Sequence, residues 1–329
     1  MIDNELNILH LKQKIQINLI PLITSDYVLW DLPYYSNIGD LLIWQGELDF
    51  LRNTPHKNIG SASKDTCIFP KLKSTDIILL QGGGNFGDLY PAHNQFRNKV
   101  IERYPDNRII MFPQSVWYDN EESASKDAEI INRHKNLYLC ARDRYSYDFM
   151  KKHFHKANIL LVPDMAFCID DKTLEKYRNI DSEKTLYFKR LDKELDTSSE
   201  IGAIDADIHD WPTFEHEPPS MKFLWKLISM SNRLKNIGIP HRFALKSIDA
   251  YVSNFILPSL TAQGYALISG YNRIITTRLH AMILSILLHK KVEYIDNTTG
   301  KLSAFVDTWL SDLSSVKPFS IHSPHSTQQ

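Results

Sequence analysis

The sequence predicts an α/β protein of two doubly wound lobes facing across a cleft, and three observations carry that prediction. The chain has 329 residues, whereas single hydrophobic cores stop growing near ~250–300, so two lobes of similar size divide it best. Short runs that are apolar almost throughout alternate with helical patterns, the mark of parallel strands covered on both faces. A polar interval, "DDKTLEKYRNIDSEK" from Asp170, interrupts the alternation, which then restarts. The expected division is 1–170 for the N-terminal lobe, 171–320 for the C-terminal lobe and 321–329 for a disordered tail.

In chain order, the first lobe's strands are "YVLWDL" from Tyr27, "DIILLQ" from Asp76, "RIIMFPQ" from Arg108, "LYLCAR" from Leu137 and "NILLVPD" from Asn158. Helical patterns fall between them at 39–52, 92–104, 121–134 and 146–153. "TLYFKR" from Thr185 opens the second lobe, followed by an acidic, irregular stretch through "DADIHDWPTFEHEPPS". A helix is expected from about Met221 and another near 250–263. Then come a strand "RIITT" from Arg273, the helix of "RLHAMILSILLHK", a strand "VEYID" and a last helix near 302–310. No short-period repeat or low-complexity tract interrupts this order.

Charge and cysteine content exclude several classes. Lys plus Arg number 38 against 39 Asp plus Glu, so no global field attracts nucleic acid, and an anionic partner must be held by local basic residues. Cys67, Cys140 and Cys168 are odd in number and far apart, which fits reduced thiols in the cytoplasm, and no paired Cys/His spacing suggests a metal site. The N-terminus lacks the basic start and unbroken apolar run of a signal peptide. No segment approaches the ~18 uncharged apolar residues of a membrane span. A lipid-linked substrate would therefore be met at the membrane surface.

Because doubly wound sheets place ligands beyond the carboxyl ends of their strands, the residues after each strand are the candidates. "DIILLQGGGNFGDLY" contains Gly82, Gly84 and Gly87 in the spacing of a dinucleotide fingerprint. Such a fingerprint needs a helix opening inside the motif and an acid ending the next strand. Pro91 suits a helix start only beyond the motif, and Gln114 stands where the acid belongs. The glycine run, with Gly83, Asn85 and Asp88, is thus expected as a loop whose backbone N–H groups approach an anion or a sugar.

Other strand ends add polar groups. Asn37 and Asp40 sit at a helix entrance where either could cap the helix or face a ligand. Arg142 and Arg144, then Lys189 and Arg190, then Arg278 give three basic strand ends, better explained by one convergent anion site than by chance. Arg278 and His280 lie at the N-terminus of a helix whose apolar residues recur at Ala281, Leu284, Leu287 and Leu288, where the helix dipole favours an anion.

Taken in order, "SNIGD" (36–40), "LLQGGGNFGD" (79–88), "FPQS" (112–115), "ARDRYS" (141–146), "VPDMAF" (162–167), "KRLDKE" (189–194) and "TRLHAMILSILL" with "YIDNTTGKLSAFVDTW" resemble the polysaccharide pyruvyltransferase family. The resemblance implies two Rossmann-like domains in a GT-B-like arrangement. It also implies transfer of pyruvate from phosphoenolpyruvate to sugar hydroxyls of a cell-surface glycan. Its RLH signature falls on Arg278, Leu279 and His280, and its basic strand-end residue on Arg142. Thr277 and Ala281 stand where relatives often carry Asp and Gly, so residue 277 carries no acid–base task.

On this reading Arg278, Leu279, Arg142 and Arg190 bind the donor, and His280 is phosphate contact and general acid. Asn37, Gly83, Gly84, Asn85, Asp88 and Gln114 face the acceptor, with Asp40 as base. Phosphoenolpyruvate is a co-substrate, and no cofactor is expected. The protein would work in the cytoplasm, touching the inner face of the membrane if its glycan acceptor is lipid-linked. Two other readings stay open: a nucleotide-sugar glycosyltransferase on the same architecture, and a non-catalytic glycan-assembly protein.

Overall fold

The computed structural model describes residues 4–178, 180, 182–190, 205–296 and 300–320. Its strands form two sheets in which every paired neighbour is parallel. The first contains β1 (Tyr27–Trp30), β2 (Asn58–Ala62), β3 (Ile77–Leu80), β4 (Gly83–Gly87), β5 (Ile109–Trp117), β6 (Leu137–Ala141) and β7 (Asn158–Leu161), in the order β2-β1-β3-β5-β6-β7. Strand β4 pairs with the C-terminal half of the long β5. The second sheet contains β8 (Thr185–Phe188), β9 (Asp207–His209), β10 (Arg273–Thr276), β11 (Lys291–Tyr294) and β12 (Val316–Pro318), ordered β12-β11-β10-β8-β9.

The strand orders locate the site. In the first sheet the chain runs from β1 outward to β2, then returns to build β3 on β1's other side. In the second it runs from β8 to β9, then returns to build β10. Each reversal opens a crevice at the carboxyl ends of the two central strands, the place where such sheets bind ligands.

Helices α1 (Asn4–Leu19), α2 (Ile38–Leu51), α3 (Pro91–Arg103), α4 (Glu121–Ile131), α5 (Arg144–His153) and α6 (Asp171–Arg178) accompany the first sheet in sequence. Helices α7 (Pro212–Glu215), α8 (Pro219–Arg233), α9 (Ile239–Tyr251), α10 (Leu257–Ser269), α11 (Leu279–Leu287) and α12 (Lys301–Trp309) accompany the second. One apolar cluster runs from Leu29, Leu79 and Phe112 in the first sheet, through α2 and α10, to Phe188 and Ile274 in the second. A separate cluster, with Trp30, Leu80, Met111 and Leu139, covers the first sheet's other face. Strands β1 and β3 are buried along their whole length, which is why they read as continuous apolar runs.

The structure corrects several expectations. The glycine run is not a loop: Gly83–Gly87 is a strand, and the Gly82 N–H points inward to Glu47 Oε1 at 2.8 Å. Helix α1 buries Ile8, Leu11, Ile15 and Leu19, and its Asn4 amide donates to the Ile286 carbonyl in the last turn of α11. The helix expected near 250–263 is two helices joined by a widened turn at Val252–Ile256, where the Leu257 N–H reaches back to Val252 O. Pro258 follows at once, and a proline ring displaces the turn before it, which accounts for the extra residue. The segments 191–194 and 297–299 of the quoted motifs and the tail 321–329 lie outside the described residues.

Candidate active site

A cleft of about 580 Å³ opens at the two crevices and draws its walls from both sheets. It is lined by Asn37, Asp40, Gly84, Asn85 and Arg142 from the first half of the chain, and by Arg190, Arg278, Leu279 and His280 from the second. Residues scattered over most of the sequence meet here because most of them lie beyond the carboxyl ends of β1, β3, β6, β8 and β10.

Arg142 follows β6 and is buried. Its Nη1 lies 2.8 Å from Asp164 Oδ2 and its Nε donates to Ser115 Oγ at 2.9 Å, while Trp309 Nε1 donates to its carbonyl at 2.7 Å. His280 Nε2 lies 3.3 Å from Asp164 Oδ2 and 3.3 Å from Arg142 Nη1. That nitrogen donates to the carboxylate when protonated and accepts from the guanidinium when not, so both protonation states have a partner. Burial pushes the Asp164 carboxyl up, but His280, Arg142 and the Ala166 N–H outweigh it and hold the group well below the usual carboxylate range. Gly39 lies against this imidazole: a Cβ there would come within 2.9 Å of His280 Nδ1.

Arg278 sits at the start of α11, with its Nε 2.5 Å from Asp210 Oδ1 and its Nη2 2.6 Å from Asp210 Oδ2. The fork fixes the guanidinium plane, which also covers the Phe214 ring at 4.9 Å. No side chain caps α11, so the positive end of its dipole adds to the field in the cleft. Thr277 accepts the Arg190 N–H at 3.1 Å, tying the ends of β8 and β10 together.

The opposite wall is made of amides, a phenol and a second histidine. Asp40 Oδ2 accepts from Tyr35 OH at 2.9 Å and from Asn37 Nδ2 at 2.8 Å, while Asn37 Oδ1 caps α2 by accepting the Gly39 N–H. Burial and the neighbouring Asp40 carboxylate hold the Tyr35 phenol well above its ordinary range, so it stays a donor. Asp31 ends β1 with φ of 66°, a left-handed conformation that costs a non-glycine residue. Its carboxylate meets His93 Nδ1 at 2.8 Å and Arg97 Nε at 2.8 Å. Arg97 in turn donates to Asn85 Oδ1 at 2.5 Å. His93 lines the cleft. Gly84 keeps the walls close, because a Cβ there would fall 2.8 Å from Arg142 Nη2.

Three expected site residues do not line the cleft. Asp88 faces the other way: its two carboxylate oxygens accept the N–H groups of Asp119 and Asn120, both at 2.9 Å, and secure the loop after β5. Gln114 is wholly buried and donates to Gln81 O at 2.7 Å, beneath the wall. Gly83, also buried, packs near Ile43 with φ of 138° and supplies shape to β4.

The residues that reasoning from sequence missed are mostly acids that orient the cations. Asp164 follows β7 in "VPD", so the strand-end rule could have found it. Asp210 and Asp31 gave less signal, since their partners Arg278 and Arg97 lie 68 and 66 residues away along the chain. Among the described residues no group of three or more His, Cys, Asp or Glu side chains could hold a metal ion.

Comparison with known proteins places this geometry. Residues 37–298 match the profile of the family described as "Polysaccharide pyruvyl transferase". EpsO of Bacillus subtilis (strain 168) is 31% identical over 322 residues, covering 96% of this chain and 95% of its own. Pyruvyl transferase 1 of Schizosaccharomyces pombe (strain 972 / ATCC 24843) is 27% identical over 301 residues, covering 84% of this chain and 68% of its own. A crystallised Klebsiella pneumoniae protein of uncharacterised function shares the fold, with a TM-score of 0.60 at 18% identity, over 97% of this chain and 100% of that one.

Proposed function

The chain belongs to the polysaccharide pyruvyl transferase family, and from that premise we propose that it moves the pyruvyl group of phosphoenolpyruvate onto two hydroxyls of a sugar in a cell-surface polysaccharide or its precursor. The observation that carries this reading is the pairing of two rigidly held guanidiniums with an imidazole at one helix N-terminus. Phosphoenolpyruvate presents a carboxylate and a phosphate, and two guanidinium charges held in fixed planes suit two such anions. Arg278, Arg142 and Arg190 bind the donor, Leu279 packs beside it, and the two lobes face each other as in GT-B enzymes.

His280 delivers a proton to the methylene carbon, which becomes a methyl group and leaves positive charge at C2. A first sugar hydroxyl adds at C2 and gives up its proton. The C2–O bond to phosphate then breaks while the second hydroxyl closes the ketal and gives up its own. Both protons leave through acceptors on the opposite wall, which then pass one back to His280 and the other to the departing phosphate, so the step balances without oxidant or reductant. Two hydroxyl protons call for two acceptors on the opposite wall. Asp40 takes one. His93, oriented by Asp31 as a dyad orients a general base, takes the other. Asn37, Asn85 and Gly84 complete the sugar's side.

The test is ligand-specific stabilisation followed by product analysis. Phosphoenolpyruvate in large excess should raise the melting temperature while a nucleoside diphosphate should not, and mass spectrometry of glycan acceptors should show one added pyruvate ketal. Stabilisation by the nucleoside diphosphate alone would turn the reading toward glycosyl transfer.

A further inference from the structure

Helices α8 and α9 are each buried along one face, and α9 also reaches the first half of the chain through Asp249, whose carboxylate accepts from Tyr34 OH. Met221, Leu224 and Ile228 of α8, and Leu245 and Ile248 of α9, are buried against the core. Their outer faces combine two features that rarely coincide by chance. Phe223, Trp225, Met230, Ile237, Phe243 and Phe255 are exposed across these helices, their connection and the turn that follows, with Phe243 at 67% and Phe255 at 66%. Phe223, Tyr251 and Phe255 form a continuous ring contact, with centroids 5.5 and 5.9 Å apart. Between these apolar residues stand Lys222, Lys226, Arg233, Lys235, Arg242 and Lys246, all exposed. Asp249 is the one acid between Pro219 and Tyr251, in a chain whose formal net charge is -1.

We propose that this hairpin is a docking surface for an anionic lipid bilayer. The occupant follows from the chemistry. Folded partners bury apolar patches depleted in lysine, whereas here a basic residue accompanies the apolar ones on each outward turn. Aromatic rings settle at the level of lipid headgroups, while lysine and arginine stems lie along the apolar surface and carry their charges to the phosphates. A localised basic surface gains from the negative leaflet even on a protein of near-zero net charge. Among the described residues no helix is long and apolar enough to cross a membrane, so the contact is interfacial. Helix α8 begins two residues after Glu217, which lines the cleft. Docking there holds the cleft rim close to the membrane surface, where lipid-linked glycans reside.

The experiment is co-sedimentation of the full chain with phosphatidylcholine vesicles, with and without phosphatidylglycerol, in the absence of any donor or acceptor. It therefore stands apart from the proposed reaction. The expected result is binding that needs phosphatidylglycerol and weakens with salt. The double variant Lys222→Glu/Lys226→Glu should lower the partition coefficient about 25-fold or more, at about fivefold for each charge removed. Phe243→Ser/Phe255→Ser should release the protein as well. Both variants change exposed side chains, and retained melting temperatures check their folding. Equal binding to both vesicle types, or unchanged binding by both variants, overturns the proposal. So does a dimer in size-exclusion chromatography that the same variants dissociate while no vesicle is bound, which would assign the surface to a second copy of the chain.

Discussion

The two walls of the cleft are built from the same topological feature, a strand order that reverses, yet they carry opposite chemistry. On the wall proposed for the donor, each buried arginine faces a buried acid: Arg142 has Asp164, and Arg278 has Asp210. On the wall proposed for the acceptor, the groups reaching the cleft are an amide pair, a phenol that stays protonated, and Asp40 and His93, the proposed proton acceptors. The difference teaches what each wall must accomplish. A multiply charged donor needs positive charge held in a fixed plane before it arrives, because reorganising a guanidinium at the moment of reaction costs what pre-organisation saves. Sugar hydroxyls are neutral, so their wall needs direction and a place for protons.

The largest expected effect separates the walls by exchanging one histidine at a time. His280→Gln should reduce transfer by ~10²–10⁴, the usual worth of general acid–base catalysis, and, if the proposed phosphate contact holds, should also weaken stabilisation by phosphoenolpyruvate. His93→Gln should lower kcat by ~10² while leaving that stabilisation intact. Steady-state kinetics with both substrates varied, combined with thermal shifts, reads the contrast. Equal loss of donor binding in the two variants would erase the division of labour.

Next in size is the acid behind Arg142. Asp164→Ala leaves a buried guanidinium without its carboxylate, and breaking such a pair costs about 3–5 kcal/mol. The pH dependence gives a second reading. The folded Asp164 carboxyl lies below its ordinary value, so its contribution is complete above the unfolded value, near ~4, and is lost as pH falls through the folded one. The variant should therefore show a flatter acid limb in urea unfolding. A stability within error of the parent would show that Arg142 is not held by this pair.

Much of this arrangement was legible from the sequence, and the limits have physical causes. Strands β1, β3, β5, β6 and β10 are buried on both faces, so their apolar runs announced them. The edge strand β2, "NIGSA", has one buried residue in five and carries no apolar run to detect. Arg142 and Arg278, just beyond their strands, and Asp40, at the entrance of α2 after β1, could be named because the chain order of an α/β sheet dictates where strand ends go. Their orienting acids depend on pairs that only the folded chain brings together. Asp88 and Gln114 show the converse: a polar residue beside the right strand can be consumed by its own backbone surroundings.

The smallest effect tests whether a cation is what distinguishes Asp164. Asp249, on α9, is a mostly buried acid whose partner is the Tyr34 hydroxyl at 2.8 Å. Burial pushes it up to about 7, although the Tyr34 hydrogen bond pulls the other way. Here the sign reverses. An acid whose folded value is raised stabilises the protein fully below its unfolded value, and that contribution disappears as pH rises through about 7. Asp249→Asn keeps an acceptor for Tyr34 but cannot ionise. Between pH ~4 and ~7 the parent should lose about 1–3 kcal/mol relative to this variant. Parallel stability curves across that range would mean that the Asp249 carboxyl is solvated well enough to ionise freely. A gap between the parent and Asp249→Asn that shifts on approach to neutral pH, with Asp164→Ala separated from the parent at neutral pH and converging on it only in acid, would show that the two acids differ in whether a cation stands beside them.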